Sequence, residues 1–186
     1  MVVWIVVAAV ALYFIVTYNS LVNIKNNVEK AWANIDVLLK QRNDELPKLI
    51  DTCKVYMTHE AQTLEKVIQA RMGVDAARQT HDLAGLSQAE SGLRASLGGL
   101  FAVAENYPDL KADQTFLNLQ ARITGLENQI ADRREFYNDS VAVNNVRIRQ
   151  FPDMIVAGIC NFGRMNMLKF ASEDLKDVDV ASRFKA

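Results

Sequence analysis

The sequence predicts an all-α protein: an N-terminal transmembrane helix continuous with a long antiparallel four-helix bundle, plus a short apolar C-terminal helical segment. Three observations carry that prediction. Only 3 prolines and 8 glycines punctuate 186 residues, too few for the turns of a β-protein. Apolar residues make up 50% of the chain but aromatics only 8%, so the apolar content lies mostly in Leu, Ile, Val and Ala. These apolar residues recur at three- and four-residue steps, and no segment alternates as a half-buried strand does.

The first element is residues 1–16, MVVWIVVAAVALYFIV, which hold no charged side chain. At about 1.5 Å per residue they span roughly 24 Å, and about 27 Å if Tyr18 is the end. That approaches the roughly 30 Å of a bilayer core. Trp4, Tyr13 and Tyr18 sit where an interfacial aromatic belt is expected. A cleaved leader needs a basic start and a small-x-small exit. Here no Lys or Arg precedes the run and the exit reads IVTYNS, so the segment is read as an uncleaved, single-pass anchor. Lys25 and Lys30 follow it, and the positive-inside rule then puts the N-terminus outside and the body in the cytoplasm.

The body follows as residues 19–152. Ile24, Val28, Ala31 with Trp32, Ile35 and Leu39 form one apolar stripe that continues the anchor helix without a breaker. RNDELP is the first stop: Asn43 or Asp44 caps a second helix with Pro47 in its first turn, or the first helix continues with a kink. Leu46, Leu49, Ile50, Cys53 and Tyr56 follow, then a break at MTHE with Thr58 as a cap. Leu64, Val67, Ile68 and Met72 carry the spacing onward. A third helix takes Leu83, Leu86, Leu93, Leu97, Leu100, Phe101 and Ala104, with Gly98-Gly99 allowing close packing or a bend, and ends before Pro108. The longest helix keeps coiled-coil-like heptad steps through Phe116, Leu119, Ile123, Leu126, Ile130, Tyr137, Val141 and Ile148, and Phe151-Pro152 ends it. Residues 153–186 form the last segment. Its apolar part, 154–170, reads as a further helix that caps the bundle, lies on the membrane or meets another subunit, with Arg147, Arg149, Arg164 and Lys169 available to anionic headgroups.

Reactive constellations are missing from the pattern. His59-Glu60 continues as HEAQT, without the second His of a zinc-protease motif, and His81 stands alone. Cys53 and Cys160 have no neighbour at metal-ligand spacing, and no ExxH pair of a di-iron bundle occurs. No phosphate-binding or nucleophile-elbow motif is present either, so the chain is read as non-catalytic, with no cofactor and no metal. Asp36 interrupts the apolar IDVLL. It is expected to join Glu127, Asn128, Arg133 and Arg134 in polar contacts between helices that fix register. A net charge of −1 argues against a nucleic-acid partner.

Several blocks together give a more specific reading: YNSLVNIKNNVEKAWANIDVLLKQRND, LPKLIDTCKVY, HEAQTLEKVIQAR, ENYPDLKADQTFLNLQ, ENQIADRREFYNDSVAVNN and FPDMIVAG. Through them the chain resembles the bacterial LemA family, with Trp32, Asp36, Arg42 and Pro47 in the first block and Glu105 to Pro108 in the loop. The resemblance implies one N-terminal anchor on a four-helix bundle in the bacterial inner membrane, in a family with no established catalytic activity. Some relatives are linked to membrane organisation or to membrane-embedded metalloproteases. The chain departs from the family where the tail reads CNFGRMNMLKF, and where Asn144 replaces a usual tyrosine. A membrane-anchored scaffold is therefore expected, with the membrane and a second copy of the chain as partners, or else an adaptor to another membrane protein such as a protease.

Overall fold

The computed structural model describes residues 1–80 and 82–168, which are helical without any strand among them. Six helices follow in order: α1 Val2–Tyr56, α2 Ala61–Gln79, α3 Leu83–Ala104, α4 Pro108–Ala112, α5 Gln114–Arg147 and α6 Asp153–Ile159. They form two compact units. One holds Met1–Lys40 with Leu126–Met167; the other holds Gln41–Gly125 with Leu168.

The apolar start of α1 and its first stripe are one helix, as expected, but the stop at RNDELP is not used. Proline has no N–H, so inside a helix it orphans the carbonyl four residues back, here Asn43. Arg71 of α2 repairs the loss. Its Nε donates to the Asn43 carbonyl at 3.2 Å and to Asn43 Oδ1 at 3.0 Å. With that acceptor satisfied, α1 passes through Pro47 and ends at Tyr56. The break after it falls where expected, but Thr58 is not the cap. Glu60 takes the N-cap position without a side-chain cap bond, while its carboxylate accepts from Tyr107 Oη at 3.3 Å.

Side chains cap the starts of α3 and α5, while α4 and α6 begin without one. Asp82 accepts from the amides of Ala84 and Gly85 at 3.1 and 3.0 Å and opens α3. A Cβ at position 85 would press on that carboxylate, which would have to shift to admit it. Asp113 opens α5 by accepting from the Phe116 amide at 2.9 Å. Gly98 and Gly99 do not admit a close neighbour: both are exposed, and an added Cβ would meet nothing within 4 Å.

In the first unit the stripe of α1 buries Leu21, Val28, Ala31, Ile35 and Leu39, that of α5 buries Ile130, Tyr137 and Val141, and Ile148 is buried just past its end. The second unit buries Leu46, Leu49, Ile50, Cys53, Val67, Leu86, Leu93, Leu97, Leu100, Phe116 and Ile123. Met72 was expected on the α2 stripe but is exposed, and Val74 is buried instead. The tail is helical only over its first part, since α6 ends at Ile159. Its continuation to 168 is irregular, and His81 and Lys169 lie outside the described residues.

Candidate functional site

In the first unit, short-range chemistry holds the tail against α1 and α5. The segment FPDMIVAGIC forms α6, which closes with a left-handed residue, Asn161, at φ 56°. Asparagine tolerates that conformation, and the Phe162 amide then returns to the Ala157 carbonyl at 2.9 Å as in a Schellman cap. Asp153, 7% exposed, is the charged residue of α6. Its carboxylate accepts from Tyr13 Oη at 2.9 Å and pairs with Arg147 at 3.0 Å, so its charge is matched where it is buried. Val156 and Ala157 pack with Leu21 and Ile148, flanked by Phe14, Cys160 and Phe162. Phe162 also stands edge-on to Tyr18, with ring centroids 5.9 Å apart.

Beyond that turn the tail runs along α5. Asn145 behaves as a backbone unit would, donating Nδ2 to the Met165 carbonyl and accepting from the Met165 amide, both at 2.9 Å. Asn144, fully buried, donates to the Gly163 carbonyl at 3.3 Å, and Tyr137 Oη donates to that of Asn166 at 3.0 Å. Burial pushes the Tyr137 phenol above its ordinary value. Three side chains of α5 thus supply the partners that an irregular backbone segment lacks.

Beside this clamp lies a groove of about 390 Å³ between α1 and α5. Ile24, Ala31, Phe136 and Val143 give it apolar walls, and Asn27, Asn34, Ser140, Lys30 and Arg133 give it a polar, basic rim. Phe136 and Val143 are 54% and 53% exposed. Trp32 stands edge-on to Tyr137 at 5.9 Å and fixes the packing behind it.

The second unit carries a different polar constellation. Arg42 and Glu90, 1% and 5% exposed, form a two-armed ion pair, with Nη1 to Oε2 at 3.0 Å. Glu45, also buried, pairs with Arg122 at 2.6 Å. Tyr56 donates to Asp113 at 2.9 Å. That bond raises the phenol's pKa, while the Phe116 amide and then Tyr56 hold the Asp113 carboxyl below its ordinary value. Burial lifts the Cys53 thiol to about 11, so it is protonated and unreactive at neutral pH.

Among the residues singled out from sequence, Trp4, Tyr13 and Tyr18 are exposed on α1, and Lys25 pairs with Glu29 at 3.8 Å. Lys30 and Arg133 meet at the groove. Asp36 and Glu127 are half-buried, Arg134 is buried, and each is engaged in an interaction, whereas Asn128 is exposed. The reading by sequence missed Arg42 paired with Glu90, and Asp153 paired with Arg147. The first pair was visible in principle. Arg42 occupies a place on the stripe 35, 39, 42, 46, 49, and Glu90 one on 86, 90, 93, 97, so each is a charge in an apolar row. Among the described residues no three His, Cys, Asp or Glu side chains are grouped to hold a metal ion.

Comparison with known proteins adds to this geometry. A model of the LemA family matches residues 31–181. The chain is 29% identical to Protein LemA of Metamycoplasma hominis over 165 residues, covering 87% of this chain and 72% of the relative. It is 25% identical to Magnetosome protein MamQ 2 of Paramagnetospirillum magneticum over 170 residues, covering 79% and 62%. It is 23% identical to Magnetosome protein MamQ of Magnetospirillum gryphiswaldense over 171 residues, covering 80% and 63%. The chain therefore spans about three-fifths of the length of the magnetosome relatives.

Proposed function

This chain belongs to the LemA family, and on that premise we propose that it is a membrane-anchored helical interaction protein that works by binding and catalyses no reaction. The observation that carries this reading is the junction within α1. Of its most apolar 18-residue stretch only 6% is buried, yet the same helix continues into packed cores. An apolar helix left bare by the protein, and long enough to cross a bilayer, is covered by lipid. The buried polar groups that the fold brings together engage one another, as Arg42 does with Glu90 and Asp153 does with Tyr13 and Arg147. Such pairs hold helices in register.

The binding face in this proposal is the groove of Ile24, Phe136 and Val143, and its occupant is a second copy of the chain. Exposed aromatic and aliphatic walls inside a basic rim suit an amphipathic helix with acidic flanks. Lys25 and Lys30, just beyond the apolar run, favour the bundle on the cytoplasmic side of the bacterial inner membrane. The test places a photo-crosslinking amino acid at position 136 of the full chain in native membranes. The expected result is a carbonate-resistant membrane protein that yields a product at twice 20.9 kDa, lost on Val143→Glu. A chain that stays in the membrane but gives only uncrosslinked monomer would overturn the self-association. A chain released by carbonate would overturn the anchor.

A further inference from the structure

The tail helix leaves one side uncovered. Val156 and Ala157 of α6 face the core, while Phe151 in the turn before it and Met154, Ile155 and Ile159 on it are 79%, 51%, 53% and 68% exposed. We propose that α6 is a lipid-contacting element, lying in the boundary between headgroups and acyl chains beside the anchor, an inference that rests on the anchor reading above. Its position is the first reason. The Tyr13–Asp153 hydrogen bond and the packing on Phe14 and Leu21 hold α6 alongside residues 13–21 of α1, where the bare apolar run ends. Those nine residues cover roughly 12 Å of helix axis, enough to reach across an interfacial layer of about 5–8 Å.

Charge is the second reason. The carboxylate of α6 is turned inward and matched by Arg147 and Tyr13, so the outward side is wholly apolar and costs nothing to bring to lipid. Arg149, exposed on the approach to α6, is placed to meet phosphate groups. Area decides between lipid and a second copy. At about 200 Å² for a fully exposed large side chain, the four residues present on the order of 500 Å². A stable protein interface takes roughly 800 Å² from each partner. The patch is too small for a dimer, but it is continuous with a surface that lipid already covers.

Nitroxide labels on the full chain test this in vesicles of mixed zwitterionic and anionic phospholipid. Cys160 is replaced by Ser, and Cys53 is left because its buried thiol does not react. Single cysteines are introduced as Ile155→Cys and Ile159→Cys, with Val6→Cys as the anchor reference and Val37→Cys as the aqueous reference. All four positions are exposed, so the fold is retained, and circular dichroism checks it. The expected result is that labels at 155 and 159 are open to oxygen and shielded from a water-soluble nickel chelate, as at position 6, with several-fold higher oxygen-to-nickel ratios than at 37. Nickel access at 155 and 159 with position 6 still shielded would overturn the inference and leave the anchor standing. Shielding from both reagents at 155 and 159 would mean that protein covers α6, and would overturn it equally. Nickel access at position 6 as well would remove the anchor reading and this one with it.

Discussion

A guanidinium and a carboxylate taken out of water together lose hydration that their attraction only partly returns, and the Arg42–Glu90 pair carries that balance. Glu90→Ala strands the Arg42 charge in the core, and urea unfolding of the detergent-solubilised chain should show a loss of about 3–5 kcal/mol. Arg42→Met combined with Glu90→Leu should restore the stability or exceed the original. A single-variant cost below about 1 kcal/mol, the range of surface pairs, would show that the site is wet. Asp113 and Tyr56 predict a pH dependence with two signs. The Asp113 carboxyl lies below its ordinary value, so its contribution is present above the normal carboxylate range and disappears as pH falls through the lowered pKa. The Tyr56 phenol lies above its ordinary value, so its contribution is present below the normal phenol range and disappears as pH rises through the raised one. Asp113→Asn should flatten the acid limb of the melting curve and bring the Tyr56 titration back toward its ordinary value, read by phenolate absorbance.

Among the elements, α1 shows how a local stop is overruled from a distance. The Arg71 guanidinium that satisfies Asn43 comes from 28 positions along the chain. Arg71→Ala should cost about 1–3 kcal/mol through the stranded acceptors. In a Pro47→Ala background, where the amide of residue 47 can bond the Asn43 carbonyl, that cost should shrink; equal costs in both backgrounds would separate the two features. The stripes of α1, α3 and α5 were legible because one period of 3.6 places every buried residue on one face, from Val28 to Leu39 and from Leu86 to Leu100. The passage through Pro47 was legible only as the second of two alternatives, since local preference marks the stop and tertiary contact decides against it. The exposure of Met72 belongs to the same class. So does the clamp on the tail: Asn145 looks like a surface residue in sequence, and its role depends on where Met165 returns. Asn145→Ala should leave helicity unchanged and make the chain after Phe162 the first site of limited proteolysis.

For the whole chain, residues 2–11 touch almost nothing but their own helix, being exposed throughout. Deleting them should abolish sedimentation with vesicles and leave the melting temperature of the remainder unchanged; a large drop in melting temperature would mean that the run packs on protein. The two units also differ in how the chain builds them. One is nearly all a single stretch, Gln41–Gly125, to which the tail adds Leu168, while the other joins Met1–Lys40 to Leu126–Met167. Tyr13 waits 140 positions for Asp153, and Ser20 waits 127 for Arg147. At the roughly 5–20 residues per second of synthesis, that interval is on the order of ten seconds. Once Gly125 has been made the second unit has nearly all its partners and can fold, while the first stripe of α1 still lacks those that α5 and the tail bring. Residues 13–21 are thus made well before the segments they pack against, and they reach their final contacts only as the tail emerges.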